Sequence, residues 1–336
     1  MEKRRLGRTE LMVTAISFGA LPIQRCSMEE AGPVLKAALD KGINFFDTAR
    51  AYTDSEEKIG RHIAKDRGRY YLASKSLSRD KQGLKQDLDT SLSNMKTDYL
   101  DLYQIHNIKN TEELNSVLAP GGALEGLLEE QQKGRVRFIG VTGHNYGALA
   151  EAVSGGRFDT VQAPYNIVEQ QAAESLFPLA RRLDMGLIAM KPLGGGQLEQ
   201  IQSALRFVLE QEALVAIPGM DRLEHLEENL IVAEQPRPLS TQERAALEEE
   251  ARIAGKSFCR RCGYCLPCPV GLNIPQIFIF RLQYNRYGMT GSTPGRYAQL
   301  PVKASACIKC GICENRCPYN LPVREWMAEM AEKLDK

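Results

Sequence analysis

The sequence lacks any long apolar segment and any strong excess of charge of one sign. Its apolar runs fall well short of the roughly 18 residues that a membrane-spanning helix needs. The initial residues, MEKRRLGRTELMV, include basic side chains but no apolar stretch followed by a small-residue cleavage site. The formal net charge of +1, with 25% charged residues, indicates neither a nucleic-acid nor a membrane partner. We therefore expect a cytoplasmic protein.

Cysteine is nearly absent from the first three quarters of the chain, where Cys26 stands alone. A single thiol of this kind is interpreted as incidental or buried. The other eight cysteines form two groups near the C-terminus, each closed by Cys-Pro: Cys259, Cys262, Cys265 and Cys268, then Cys307, Cys310, Cys313 and Cys317. A disulfide framework would need a secreted context, which the N-terminus does not indicate.

The spacing within the two groups favours iron–sulfur clusters. The second group, CIKCGICENRCP, fits C-x2-C-x2-C-x3-C-P position for position, a run that gives three thiolates to one cluster and the fourth to another. The first group, CRRCGYCLPCP, has two residues rather than three before its last cysteine. The alternative is a pair of four-thiolate zinc sites. Two runs both closed by Cys-Pro favour two [4Fe–4S] clusters.

The distribution of cysteine also divides the chain. We predict a metal-free domain over 1–235, a polar helical connector over 236–255, and a metal-dependent domain over 256–336.

The first domain has no G-x-G-x-x-G after its first predicted strand, where GALPIQ stands instead, which argues against a doubly wound dinucleotide-binding sheet. Short apolar runs rich in β-branched and aromatic residues alternate with helix-like stretches such as 29–41, 82–95 and 173–184. The runs are 13–20, 43–49, 70–75, 101–106, 138–143, 160–166, 186–192 and 214–220. Eight such units predict an α/β fold, a (β/α)8 TIM barrel.

Polar residues follow three successive predicted strands, where a barrel places its catalytic groups. Asp47 ends the second run and Tyr52 follows it, Lys75 ends the third, and His106 ends the fourth. Each alone has an ordinary explanation: a helix N-cap for Asp47, a surface lysine, a partly buried tyrosine. Their placement at successive strand ends favours a common site.

These motifs resemble those of the aldo-keto reductase family. The matching segments are FFDTARAY (45–52), ASK (73–75), LYQIH (102–106), KPLGGG (191–196) and IPG followed by EEN (217–229). The resemblance implies an NAD(P)H-dependent enzyme that transfers hydride to or from a small carbonyl or alcohol substrate. Its catalytic Asp, Tyr, Lys and His fall on Asp47, Tyr52, Lys75 and His106.

The chemistry of hydride delivery assigns a role to each of these four groups. Negative charge develops on the carbonyl oxygen, and a proton must be supplied there. A lysine ammonium beside Tyr52 favours the phenolate and so makes the phenol a better acid, while Asp47 keeps Lys75 charged. His106 can donate a hydrogen bond to the carbonyl oxygen. We expect Tyr52 to be the general acid.

The resemblance also implies a nucleotide site. It places Thr142 and Gln162 near the nicotinamide. It places a loop with Leu193, Gly194 and Gly195 along the pyrophosphate, and Glu228 and Asn229 at the adenine. Two departures stand out: Met190 replaces a stacking tyrosine, and Gly219 and His225 replace basic residues that hold the 2′-phosphate. Arg222 could substitute as the cation. NADP is expected, with NAD as the alternative.

The tail resembles an α-helical ferredoxin-like domain, because LNIPQIFIFRLQYN and VREWMAEMAEKL have helical spacing. Crossed ligation would place one cluster on Cys259, Cys262, Cys265 and Cys317. It would place the other cluster on Cys307, Cys310, Cys313 and Cys268.

The pairing of the two domains leaves three functions open. The first is an oxidoreductase whose clusters exchange electrons with a partner such as a ferredoxin. A hydride carries two electrons and a cluster one, so a flavin would be the usual intermediary, although no flavin motif is identified. The second is a carbonyl reductase with structural clusters. The third is a redox-sensing or partner-binding protein without catalysis.

Overall fold

A computed structural model describes residues 1–255, 259–260, 265–285, 288–317 and 319–335. The chain divides into two compact units, Met1–Ala251 and Arg252–Lys336. This division falls inside a helix, Thr241–Ala254, which lies mostly in the first unit. The domain bounds at 235 and 255 stay predictions. No helix within the described ranges has both the length and the apolar character needed to cross a membrane.

The secondary structure of the first unit alternates strands with helices. Its strands are β1 (Lys3–Arg5), β2 (Met12–Thr14), β3 (Phe18–Gly19), β4 (Phe45–Asp47), β5 (Tyr71–Ser76), β6 (Leu100–Ile108), β7 (Val136–Gly143), β8 (Thr160–Pro164), β9 (Gly186–Met190) and β10 (Leu214–Ile217). Its helices are α1 (Met28–Asp40), α2 (Ser55–His62), α3 (Lys81–Met95), α4 (Thr111–Leu118), α5 (Ala123–Gln132), α6 (Tyr146–Ser154), α7 (Phe177–Arg182), α8 (Ile201–Leu209), α9 (Leu223–Glu234) and α10 (Thr241–Ala254).

Strands β3 to β10 form one eight-stranded sheet in sequence order, with every neighbouring pair parallel. The sheet closes on itself, because parallel bridges join Ile16 to Ala216 and Gly19 to Gly219. At this seam the backbone N–H of Gly19 donates to Pro218 O at 2.9 Å. A Cβ on Gly19 would lie 2.5 Å from Ile217 O, so only glycine allows this approach. The predicted (β/α)8 barrel is confirmed.

The first predicted run, 13–20, is divided in the structure. Its beginning belongs to β2, which pairs antiparallel with β1, and only β3 enters the barrel. Apolar side chains from this hairpin, including Leu11 and Val13, join barrel residues such as Phe45 and Ile188 in one buried cluster. The hairpin therefore extends the hydrophobic core beyond the eight barrel strands.

The second unit is mainly helical, as predicted. Its helices are α11 (Ile274–Asn285), α12 (Thr293–Tyr297), α13 (Ile312–Asn315) and α14 (Val323–Leu334). Phe278 of α11 meets Trp326 of α14 edge-on, with ring centroids 4.8 Å apart. Arg281 lies over the same indole, 4.3 Å from its centroid, and its Nε donates to Glu329. These two helices supply most of a small core against which cysteines pack.

Candidate active site and cluster-binding site

Asp47 and Lys75 form a buried ion pair at neighbouring strand ends. Asp47 pairs in register with Ala73, which brings Lys75, two residues further along β5, to the same end of the barrel. The Nζ of Lys75 donates to Asp47 Oδ1 at 2.6 Å and to Thr48 O at 2.5 Å. The two residues are only 2% and 1% exposed. A buried charge is tolerated where it is paired and hydrogen-bonded in this way.

The pKa of Lys75 is shifted by opposing effects. Burial alone lowers the pKa of an ammonium group, but the negative charge of Asp47 raises it, and Tyr52 and hydrogen bonds with both residues add to this rise. The net result is a pKa above the usual value for lysine. Lys75 is therefore a permanent positive charge at the working pH.

Tyr52 and His106 complete the group on the side of this ion pair. The ammonium of Lys75 lies 5.0 Å from the centroid of the Tyr52 ring. The rings of Tyr52 and His106 meet edge-to-face, with centroids 5.8 Å apart and an interplanar angle of 85°. The structure thus brings together all four residues expected at the successive strand ends. Their catalytic roles stay a prediction.

His106 is held neutral by its surroundings. Burial, followed by the nearby charges of Lys75 and Arg79, lowers its pKa to about 3. Its Nδ1 is buried and has no hydrogen-bond partner within the described residues. The guanidinium of Arg79 fixes the backbone here, donating to the carbonyl oxygens of His106 and Asn107 at 2.9 and 3.0 Å. A neutral imidazole can donate one hydrogen bond to a substrate oxygen.

Gln104 is a site residue that was not predicted from the sequence. Its Nε2 donates to Asp47 Oδ2 at 3.0 Å, and the residue is fully buried. Asp47 thus receives Lys75 on one oxygen and Gln104 on the other. The available signal was spacing, because Gln104 lies two residues before His106 on β6 and alternate residues of a strand share one face.

Thr142 and Gln162 lie at the same end of the barrel, on β7 and β8, where the nicotinamide was expected. The Nε2 of Gln162 faces Asp47 Oδ1 at 3.4 Å, and its Oε1 is buried without a partner in the described part of the chain. The hydroxyl of Thr142 accepts from the backbone N–H of Asn107 at 2.9 Å, where the chain has φ of 60°. Thr142 therefore anchors the segment just after His106.

The loop after β9 carries three consecutive glycines with positive φ, Gly194, Gly195 and Gly196. It turns tightly on itself, because Gly194 N donates to Lys191 O and Gly196 N donates to Leu193 O, both at 2.9 Å. Leu193 and these glycines thus form a strongly curved backbone segment at the carboxyl end of the barrel, with Gly194 buried and Gly196 exposed. Such segments suit close approach to phosphate.

The remaining predicted nucleotide residues lie on or beside α9. Gly219 lies at the barrel seam, and Arg222 is the exposed N-cap residue of the helix. Glu228 is half-buried, whereas Asn229 is buried with no partner for its Nδ2 among the described residues. A buried amide donor of this kind fits a ligand acceptor.

Asp221 lies close to basic side chains at the start of α9. His225 Nδ1 lies 2.8 Å from its Oδ1, and Arg25 Nη1 lies 3.7 Å from its Oδ2. Burial raises the pKa of Asp221, but His225, Arg25 and Arg222 together lower it below its usual range. Arg25 comes from the loop after β3, so its distance in the sequence hid this contact.

In the second unit, one cavity is lined by cysteines from both groups. The lining cysteines are Cys265, Cys268, Cys307, Cys310 and Cys313, with apolar side chains including Leu272, Val323 and Met327 between them. Cys268, the last cysteine of the first group, lines the cavity with the first three of the second group, as crossed ligation requires, but Cys265, expected at the other cluster, lines it too. Cys259 and Cys317 pack against the same helical core, and Cys262 lies outside the described residues. The full ligand sets stay predictions.

The barrel and its strand-end residues define the class of the protein, and comparison with known families gives its membership. Residues 15–202, more than half of the chain, match the model of the aldo/keto reductase family. The chain belongs to this family and is an oxidoreductase. Residues 258–322 match the model of the 4Fe-4S dicluster domain, which decides in favour of iron–sulfur over zinc.

Individual relatives agree with this assignment. An uncharacterized oxidoreductase, YqkF of Bacillus subtilis, is 24% identical over 306 residues, covering 75% of this chain and 97% of the relative. L-galactose dehydrogenase of Arabidopsis thaliana is 30% identical over 222 residues, covering 60% and 68%. An aldo-keto reductase of Klebsiella pneumoniae, solved in complex with NADPH, superposes with a TM-score of 0.64 at 23% identity, covering 74% of this chain and 95% of that one. This last likeness establishes the barrel fold.

Proposed function

We propose that this protein is an NAD(P)H-dependent oxidoreductase that transfers hydride between a nicotinamide and a small carbonyl or alcohol substrate, and that two [4Fe–4S] clusters carry the two electrons of the reduced nicotinamide, one at a time, to or from an electron-carrier protein. The observation that carries the first half is the buried Asp47–Lys75 ion pair beneath Tyr52, with His106 edge-on to the phenol ring. Such a constellation suits the reduction of a carbonyl group, in which one oxygen must receive a proton.

Each of these residues has a physical role in the proposed reaction. Lys75 stays charged because Asp47 faces it, and its charge stabilises the phenolate that remains when Tyr52 gives up its proton. Tyr52 donates that proton to the carbonyl oxygen as negative charge develops there. His106, neutral because its pKa is lowered to about 3, donates a hydrogen bond to the same oxygen and adds no competing charge. In alcohol oxidation the proton returns to Tyr52.

The nucleotide site is supported by buried polar groups that have no hydrogen-bond partner among the described residues. The Oε1 of Gln162 can accept from the nicotinamide carboxamide, and the Nδ2 of Asn229 can donate to the adenine. The curved glycine loop at Leu193–Gly196 suits the pyrophosphate. The NADPH complex of the Klebsiella relative and the nearby cations Arg25 and Arg222 favour NADP over NAD.

The clusters are supported by the donor set of the second unit, since four thiolates are what a [4Fe–4S] cube requires. Cys268, Cys307, Cys310 and Cys313 line one cavity, together with Cys265, and are the set that crossed ligation assigns to one cluster. The second cluster would be held by Cys259, Cys262, Cys265 and Cys317. Clusters carry single electrons, and a bound flavin would connect them to a two-electron hydride. Clusters with a structural role alone are the second candidate, favoured by the small size of the helical core.

The test is the substitution Tyr52→Phe, which removes only the acidic hydroxyl. The NADPH-dependent reduction of an aromatic aldehyde, 4-nitrobenzaldehyde, should fall by about 10²- to 10⁴-fold in kcat, the range for loss of a general acid. Tyr71→Phe is the matched control, because Tyr71 begins β5 at the opposite end of the barrel from Lys75. Reduction by Tyr52→Phe at the wild-type rate would contradict the proposal, as would an equal loss in the control.

A further inference from the structure

We propose that the loop 308–312, with neighbouring Leu266 and Arg316, is the docking surface for a small electron-carrier protein with an acidic face. This inference rests on the proposed function, because it requires that electrons enter or leave through the clusters. It assigns the entry point to one face of the second unit.

The loop forms the outer wall of the cysteine-lined cavity. Ile308, Cys310, Gly311 and Ile312 all line that cavity from this side. Among the cysteines that the structure describes, Cys310 alone is classed as exposed. An electron passes most readily where the cover between cluster and partner is thinnest. The exposed thiolate at Cys310 marks that place.

Two exposed apolar side chains flank Cys310 in the loop, and a third lies between residues that line the same cavity. Ile308 is 62% exposed, Leu266 38% and Ile312 37%. Leu266 stands between Cys265 and Pro267, two further residues of the cavity wall. Singly exposed apolar residues are ordinary, but three around one exposed ligand form a patch of the kind found at interface centres. Its small extent suits the brief encounters of electron-transfer partners, which bury little surface.

The charges at the edge of this patch select the partner. Lys309 is exposed and makes no ion pair with any described residue. Arg316 is also exposed; its Nη1 donates to Pro267 O at 3.3 Å, and it forms no ion pair with a described residue. Two carboxylates share a surface pocket with Lys309: Glu314 is engaged by Arg324, and Glu325 is exposed but forms no ion pair with Lys309. Two uncompensated cations around an apolar centre favour an acidic partner face.

The transfer itself is a simple exchange. One electron leaves the reduced cluster unit and enters the oxidised carrier, so the first is oxidised and the second reduced by one electron. No bond forms and no proton moves. Dithionite can load the clusters directly, which makes the step measurable without the barrel or a nicotinamide.

The experiment mixes the dithionite-reduced full-length protein with an oxidised, acidic bacterial 2[4Fe–4S] ferredoxin in a stopped-flow instrument. The double variant Lys309→Glu, Arg316→Glu should lower the second-order rate constant by about tenfold or more at low salt, because it reverses the steering charges. Ile308→Ser should lower it severalfold without changing its salt dependence. The double variant Lys36→Glu, Lys41→Glu, at two exposed lysines in and just after α1, is the charge-matched control and should stay within about twofold.

Two further measurements isolate docking from cluster loss. Iron content and the rate of reaction with uncharged 1,4-benzoquinone should be the same in the double variant and the wild type. Equal ferredoxin rates in the double variant and wild type would overturn the proposal. So would sedimentation data in which the wild type associates with itself through this loop and the variant does not. Failure of NADPH to reduce the clusters would instead count against the proposed function and leave this result intact.

Discussion

The two sites of this protein are built in different ways. In the barrel, Asp47 and Lys75 are buried, paired with each other, and held by adjacent strands. In the helical unit, the cysteines around the cavity are half-buried, Cys310 is exposed, and thiolate donors require a metal cluster to hold them together. The first site is organised by the fold, whereas the second helps to organise the fold. Substitutions and cluster removal should therefore affect the two units differently.

The largest expected effect is from Lys75→Met, which leaves the carboxylate of Asp47 buried without its cation. Aldehyde reduction should become undetectable, and the barrel should lose about 3–5 kcal/mol of unfolding free energy, as for one partner of a buried pair. The measurement is kcat together with urea unfolding followed by circular dichroism.

The double variant Asp47→Leu, Lys75→Met separates the two consequences. It should recover most of the stability, because no charge stays buried alone, and none of the activity. Recovery of activity in the double variant would contradict the role assigned to the pair.

The second effect is from removal of the clusters by a chelator under reducing conditions. Trp326, the single tryptophan of the chain, is only 5% exposed in the helical core. Its emission should shift to the red as that core opens, because the cysteines that pack against it lose their metal. The rate of 4-nitrobenzaldehyde reduction should stay within about twofold, since the barrel core is separate and larger.

A tryptophan emission maximum unchanged after iron loss would show that the helical unit is as self-sufficient as the barrel. Parallel loss of aldehyde reduction and of the emission maximum would show that the two units depend on one another. Either result would contradict the view that the clusters organise the helical unit while the barrel folds without them.

The third effect concerns Gln104, the donor to the second oxygen of Asp47. Gln104→Leu should lower kcat by about tenfold. The variant loses one hydrogen bond to a charged group, which contributes about 1.5–3 kcal/mol, and Asp47 then holds Lys75 in a less fixed orientation. Gln86→Leu, an exposed residue of α3, is the matched control. An unchanged kcat for Gln104→Leu would mean that Lys75 alone positions Asp47.

The smallest effect is the absence of a pH-dependent chemical-shift change for one histidine, His106. The chain has four histidines, and His106 is the one with a pKa lowered to about 3. Its ¹³C resonance, assigned with His106→Gln, should not move between pH 5.5 and 8. Below about pH 6.5 the histidine of the unfolded chain binds a proton, whereas buried His106 in the folded chain stays neutral. The stability that neutral His106 contributes is therefore present above pH 6.5 and is lost as the pH falls below it. A midpoint near 6.5 for folded His106 would contradict the burial of this ring.

Much of this architecture could be predicted from the sequence, because its signals are local. The eight β runs, the helices α11 and α14, and the cysteine spacing are patterns within short segments, and the barrel and its strand-end residues followed from them. The division of the first run between β2 and β3 did not, since β1, the partner of β2, is a segment of three basic residues without an alternating apolar pattern.

Contacts between distant segments were the part that the sequence could not supply. Arg25 lies 196 positions before Asp221, and no local spacing links the two. Gln104 lies 57 positions after Asp47, and its one local signal was its place two residues before His106 on β6. Exposure was likewise hidden: nothing in the run CIKCGICENRCP distinguishes Cys310 from its neighbours, and only the folded loop brings it to the surface.

An anaerobic titration of the purified protein with NADPH, followed at about 400 nm where [4Fe–4S] clusters absorb, shows whether the barrel site and the clusters are electronically connected. The account predicts that this band bleaches with NADPH toward the end point reached with dithionite, because the barrel site feeds electrons to the clusters. A band that dithionite bleaches but neither NADPH nor NADH alters would contradict it and leave a carbonyl reductase with structural clusters.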